Sequence, residues 1–383
     1  MNKIYHINAE NKFVISQKVR DLLAAMNGLD RIVRPGHLVL IKPNFVAPFP
    51  RAATSLHVLE PIVHEVKNCG GHPVIVESSG YEFDTETTFK VLSVYEFGEK
   101  TGADIVNLDR AKFVNARLET GNVREVKIPE IVKEADVIIN VPKIKRHSLT
   151  KVTLGIKNLF GLLHRDSRRK IHALGLERGI LETARLIAPN LVIADGSTIA
   201  ERAVYGAERF LGALVGGRDI YAVDMFCCGL LNVRWRDVPH IRFAVEQGLT
   251  DKDYEAVTSG PGVVMNGIDG AAKIENKVAR QGLLKAAYQL MYLSDLAADR
   301  VFGELSLIPK IHFHMGIHPS LNGKKCTVCG LCNDVCPVSA IDLREKKINT
   351  ALCMRVRCLK CVEACPESAI TIRGRRVDKG LTA

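Results

Sequence analysis

Short apolar runs alternate with amphipathic stretches over the first 250 residues. The runs at 37–42 (HLVLIK), 73–77 (PVIVE), 104–108 (DIVNL), 136–141 (DVIINV) and 191–195 (LVIAD) are rich in Val and Ile and apolar at successive positions. A strand apolar on both faces sits between two covering layers, the situation of a parallel sheet flanked by helices. The patterns at 58–68 and 86–101 carry apolar residues at helical spacing. This alternation predicts an α/β fold with a largely parallel sheet and flanking helices, expected over residues 1–275. Polar turns follow the strands: Pro43 and Asn44, then Ser78, Ser79 and Gly80, then Pro142 and Lys143, then Gly196 and Ser197. Open α/β sheets bind ligands at the carboxyl ends of their strands, so these turns are the first place to look for a site.

Residues 276–310 read as an amphipathic helix with Leu283, Ala286, Ala287, Leu290, Leu293 and Ala297 on one face. A helical linker or packing segment over 276–320 is expected, with membrane-surface binding as the competing use of such a face. No run approaches 18 consecutive apolar residues, so no membrane span is expected. The first dozen residues lack the apolar core of a signal peptide, which points to a cytoplasmic protein.

The cysteines change the picture, because eight of the 11 fall between Cys326 and Cys365. Without an export signal they point to metal rather than disulfides. The run Cys326-x2-Cys329-x2-Cys332-x3-Cys336, followed by Pro337, has the spacing of bacterial ferredoxins. Cys353-x4-Cys358-x2-Cys361-x3-Cys365, followed by Pro366, repeats it with a longer first spacer, Arg355 standing where the pattern has cysteine. CPVSAIDL at 336–343 is echoed by CPESAITI at 365–372. In such a repeat the last cysteine of each run crosses to the other cluster. One 4Fe-4S cluster is therefore expected on Cys326, Cys329, Cys332 and Cys365, and a second on Cys353, Cys358, Cys361 and Cys336. The longer spacer leaves a 3Fe-4S or labile second site as the alternative, and clusters that only hold the fold compete with electron transfer. Zinc sites more often pair two CxxC units across a long gap. A small α+β ferredoxin-like domain is expected over 321–383. Cys69, Cys227 and Cys228 fall outside the repeat and read as small buried apolar residues.

Charge refines the expected partner. The formal net charge is +11, and two oxidised clusters with their thiolates contribute about −4, leaving about +7. Residues 321–383 hold 12 Lys and Arg against 6 Asp and Glu. A basic rim steers an acidic redox partner, unless it serves solubility alone. Nucleic acid is not expected, since aromatic residues make up 6% and no nucleic-acid motif occurs.

A second constellation spans 140–172, with Asn140, Lys143, Lys145, Arg146, His147, Ser148, Thr153, Lys157, Asn158, His164 and His172. Lysine holds carboxylate or phosphate as a point charge, and histidine exchanges protons near neutral pH. A basic surface stretch is the plainer reading. There is no G-x-G-x-x-G after a strand, no Walker A loop, no G-x-S-x-G and no H-E-x-x-H. A flavin needs no short motif, and a divalent metal could use Asp195, Glu201 and Asp224; the sequence supports neither.

The segments IKPNFVAP at 41–48, NVPKIKRHSLTKVTLGIKNLFG at 140–161 and the region of Arg169 and His172 resemble the domain-of-unknown-function family 362. The resemblance spans most of 35–250, and such proteins often carry a C-terminal ferredoxin module. It implies Lys42, Asn44, Lys143, His147, Lys157, Asn158 and His172 as site candidates; by their chemistry His147, His172 and Lys143 are read as catalytic and Lys42, Asn44, Lys157 and Asn158 as substrate-binding. The family pattern carries a Gly-Pro turn after its Asp-Gly step, whereas here Asp195 and Gly196 lead to Glu201 and Gly206 without one. The expectation is an iron–sulfur oxidoreductase acting on a small anionic substrate or cofactor. A non-catalytic electron-transfer or maturation partner, and an acid–base enzyme with structural clusters, are the alternatives.

Overall fold

All five expected strands form, within a sheet that has eight. The computed structural model describes residues 2–80, 83–147, 149–200, 208–259, 286–287, 289–294, 319–349, 352–353 and 360–372. The strands of the large domain are β1 (Asn2–Asn8), β2 (Leu38–Pro43), β3 (His72–Glu77), β4 (Asp104–Asn107), β5 (Phe113–Arg117), β6 (Glu125–Pro129), β7 (Val137–Val141), β8 (Lys145–His147), β9 (Lys151–Thr153), β10 (Leu191–Ala200), β11 (Glu208–Gly217) and β12 (Tyr254–Ser259). The sheet order is β12-β1-β11-β10-β7-β2-β3-β4, while β5–β6 and β8–β9 are separate hairpins. β11 runs antiparallel to both neighbours, and every other pairing is parallel. This is the mixed, mostly parallel α/β sheet that the alternation predicts.

The helices are α1 (Ile15–Ala25), α2 (Leu56–Asn68), α3 (Thr85–Val91), α4 (Val94–Thr101), α5 (Glu130–Glu134), α6 (Gly155–Asn158), α7 (Arg165–Leu174), α8 (Leu176–Ile187), α9 (Ile220–Leu230) and α10 (Pro239–Glu246). They cover both faces, and the two-residue period of the strands divides the core between them. Val39 and Ile41 pack toward α1, α2 and α4, whereas Leu40 joins the opposite cluster with α6, α8, α9 and α10. The single helix expected at 86–101 is two, broken at Ser93, whose φ of 55° is left-handed. Cys227 and Cys228 are buried in the core as expected, while Cys69 is only partly buried.

β2 pairs with β7 on one side and β3 on the other. The chain leaves β2 for β3 and β4 in one direction and returns to β7 on the other flank, making the β2/β7 boundary a topological switch point. Its carboxyl end is where Lys42, Asn140 and Lys143 emerge.

Most of the 276–310 segment lies outside the described residues. In its described part Leu290 and Leu293 are exposed and Tyr292 is buried, so the expected Leu/Ala packing face is not the face that packs. The C-terminal module pairs β13 (Pro319–Leu321) with β16 (Ile370–Ile372), and β14 (Ile341–Asp342) with β15 (Lys347–Ile348). Among the described residues it also carries the short helices Leu331–Asp334 and Lys360–Ala364. Its first strand begins at Pro319, inside the end of the expected 276–320 linker.

Candidate functional site

Four lysines converge at the switch point, in two pairs of different character. Lys42, at the end of β2, is fully buried; its Nζ lies 2.7 Å from Glu77 Oε1 and donates to Pro43 O at 2.7 Å. Burial lowers its pKa, Glu77 raises it and Arg168 lowers it further. Glu77 also accepts from Phe45 N and Ser78 N. Lys143 Nζ donates to Asp195 Oδ2 at 3.0 Å and Thr198 Oγ1 at 3.2 Å, and Ser197 fills the second Asp195 oxygen. Both ammonium groups are neutralised by carboxylates of this chain. A buried pair with its remaining hydrogen bonds filled is a structural element, costly to break from one side.

Asparagines bind these pairs into one network. Asn158 Nδ2 donates to Lys42 O, Pro43 O and Asn140 Oδ1, while Asn44 Nδ2 donates to Asn158 Oδ1. Thr54 Oγ1 accepts from Asn44 N and donates to Val141 O, and Ser55 N donates to Asp195 Oδ2. The loop after β2 is thereby tied to β7 and β10. Lys42, Asn44, Lys143 and Asn158, all read from sequence as site residues, form this buried frame.

Lys145 and Lys157 differ, since neither has a carboxylate partner among the described residues. Lys145 Nζ donates to Asn44 Oδ1 and Ala52 O, each at 2.7 Å. Burial, with Lys143 as the next cause, lowers its pKa to about 7. Lys157 lies over the Phe160 ring, and burial with Arg168 lowers its pKa to about 8. α6, which carries Lys157, begins where Gly155 N and Ile156 N donate to the Asp224 carboxylate at 2.7 and 2.9 Å. Burial raises that carboxyl to about 7 against the two hydrogen bonds.

Three histidines surround Lys157 closely enough for its charge to act on each. His147 is pushed well below its usual range by burial, then by Lys157, His172, Lys145 and His240. His147 Nδ1 accepts from Leu149 N and Thr150 N, which leaves the ring proton on Nε2. His172 is lowered in the same way by burial, Lys157 and Arg168, and its ring stacks on Tyr292 with centroids 4.6 Å apart. His240, on α10, is 0% exposed, and neither ring nitrogen has a hydrogen-bond partner among the described residues. Burial and then Lys157 lower its pKa to about 3. Sequence reasoning missed His240 because no motif surrounds it; it also assigned no separate role to Lys145, although Lys145 lies inside the flagged segment.

No three His, Cys, Asp or Glu side chains among the described residues converge on a single metal ion. Asp195 and Asp224 are occupied by the contacts above, and Glu201 lies outside the described residues. The divalent-metal option on these three has no support.

In the C-terminal module burial raises Cys332, which is also acted on by Cys365, Cys326 and Cys329. The other three thiols assigned to that cluster thus lie close enough to Cys332 for their charge to act on it. Cys336 and Cys365, the two cross-over cysteines, each accept a backbone N–H at 3.2 Å, from Ala340 and Ala369. Such bonds suit cluster thiolates. Cys361 is buried and Cys353 partly buried, while Cys358 lies outside the described residues. The donor set fits the cofactor. The module also touches the large domain: Lys360 Nζ donates to Val91 O at 3.0 Å, and Val362 packs on Ala47, Phe49, Ala52 and Phe83.

A family model described as "Domain of unknown function (DUF362)" matches residues 39–229, and one described as "4Fe-4S dicluster domain" matches 318–377. The large domain belongs to the DUF362 family. The dicluster domain makes this DUF362 protein an iron–sulfur protein built for electron transfer. A "Thylakoid-associated protein" of Synechocystis sp. is 26% identical over 250 residues, covering 60% of this chain and 74% of the relative. Among solved structures, the lactate racemase apoprotein of Thermoanaerobacterium thermosaccharolyticum aligns at 15% identity with a TM-score of 0.43, covering 59% of this chain and 56% of the other. A Thermotoga maritima protein aligns at 11% identity with a TM-score of 0.34, covering 57% and 59%. This chain thus spans little more than half of either structure. Among the described residues no helix is long and apolar enough to cross a membrane.

Proposed function

We propose that this DUF362 protein is an iron–sulfur oxidoreductase whose large domain binds a small anion beside Lys157. The observation that carries the reading is a lysine without a carboxylate partner among the described residues, at a sheet switch point, facing three neutral histidines. Lys42 and Lys143 keep the frame rigid through Glu77 and Asp195. Lys157 supplies the positive charge, and His147 donates from Nε2 to the bound anion. With a pKa of about 8, Lys157 is matched to holding or releasing a proton at Nζ near neutral pH. When bound by the eight cysteines, the clusters supply single electrons. A one-electron carrier protein, acidic to complement the basic module, is the natural source. Thiolate ligands persist where thiols stay reduced, which suits the cytoplasm; the thylakoid-associated name of the relative is the competing clue.

The test is calorimetric titration of the holoprotein with phosphate and with small mono- and dicarboxylates. Lys157→Gln is expected to weaken the best anion by about tenfold or more, the scale of one lost charge-assisted hydrogen bond, with visible cluster absorbance unchanged. Equal affinity in the variant would sink the assignment. The lowered pKa values of Lys145 and Lys157 also favour a second reading, acid–base chemistry independent of electrons. It requires turnover indifferent to whether the protein is reduced.

A further inference from the structure

The dicluster module is mounted with one side inward. The helix Lys360–Ala364, within the second cysteine run, meets the large domain through Lys360 and Val362. The first cysteine run carries a group of exposed residues. Cys329 is exposed, and around it Val328, Leu331 and Val335 are 46%, 48% and 36% exposed. Lys324 and Lys325 are exposed beside them. Lys346 Nζ, from the turn before β15, donates to Gly323 O at 3.2 Å and Cys326 O at 3.1 Å, bringing a third positive charge against this loop. From Gly323 to Asn333 the loop has no acidic residue; Asp334 is the first.

We propose that this face, Val328, Leu331 and Val335 with the Lys324 and Lys325 rim, is the docking surface for an acidic electron-carrier protein. Three large apolar side chains exposed around one cluster ligand, with a cationic edge, have the composition of a transient protein interface. Like-signed lysines on the rim raise the encounter rate with an oppositely charged partner and reject basic ones. Charge complementarity selects an acidic protein, and the apolar residues and lysines of this face are exposed. The assignment rests on the reading of the module as the protein's electron entry.

The holoprotein is titrated with a small acidic bacterial-type ferredoxin as probe, with basic cytochrome c and phosphatidylglycerol vesicles as separate arms. Binding of the ferredoxin is expected to weaken with salt, as for contacts spanning a Debye length. Lys324→Glu with Lys325→Glu should reduce it about tenfold or more, Val328→Ser with Leu331→Ser should reduce it similarly, and Lys360→Ala should leave it intact. Cluster absorbance in each variant reports folding. Equal affinity for cytochrome c, no effect of either double variant, or binding to vesicles without binding to the ferredoxin would each overturn the proposal. If the ferredoxin docks as expected while Lys157→Gln keeps full anion affinity, the docking surface stands and the anion-site reading falls.

Discussion

His240 shows how a single buried ring can report on the site. Its folded pKa of about 3 lies below the ordinary 6.5, so the unfolded chain holds the proton more tightly. The stability it contributes is fully present above pH 6.5 and is lost as pH falls from there toward 3. At pH 5.5 the loss is about 1.4 kcal/mol, one unit of pH below the unfolded value. His240→Phe is expected to remove that share of the acid slope: its melting temperature should fall less than the wild type's between pH 7.5 and 5.5. Parallel curves for the two proteins would assign the slope to other groups. At this scale the sequence marked the segment that the fold gathers at the switch point but not the division of labour within it. Lys143 and Lys157 sit in one basic stretch and look alike. They part only when β10 brings Asp195 to Lys143, while no described carboxylate reaches Lys157. His240 lies 83 positions from Lys157, and only the packing of α10 against α8 and α9 joins them.

Among the elements, α6 is the most exposed to a single change. It has only four residues, and its first backbone N–H groups are held by one carboxylate, Asp224, from α9. A β-carbon on Gly155 would stand 2.9 Å from Asp224 Oδ1 and 3.0 Å from Ile220 Cγ1, both in a packed core. Gly155→Ala should therefore displace the carboxylate and cost about 2–3 kcal/mol, the scale of buried polar groups left unpaired. Lys157 and Asn158 move with the helix, so anion binding should fall in the same variant; a normal melting temperature would contradict this. Strands β2, β3, β7 and the start of β10 were legible because burial on both faces writes an unbroken Val/Ile run. β11 was not, because Gly212, Gly216 and Gly217 interrupt its pattern. β1 was hidden by His6 and Asn8, polar residues that are buried in the fold.

At the scale of the whole molecule the two domains are held together by different means. The sheet has an extensive apolar core on each face. The buried core of the module is Cys332, Ile341, Cys361 and Ile370, two of them expected cluster ligands. Metal binding and folding are coupled in such small cores. Stripping iron with a chelator should abolish amide exchange protection over 319–372 while β2, β3 and β7 keep theirs; loss of protection in those strands would show instead that the large domain depends on the clusters. The spacing of the cysteines made the dicluster character of this domain readable, since its chemistry is local in sequence. The opposite holds for β1, which is hydrogen-bonded between β11 and β12, strands more than 200 residues further along the chain. At a synthesis rate of roughly 5–20 residues per second, the ribosome needs on the order of 10–40 s to deliver those partners. For that interval a nascent chain carries an unpaired strand that only late-made neighbours can cover, and a chaperone that shields such edges has a defined window in which to act.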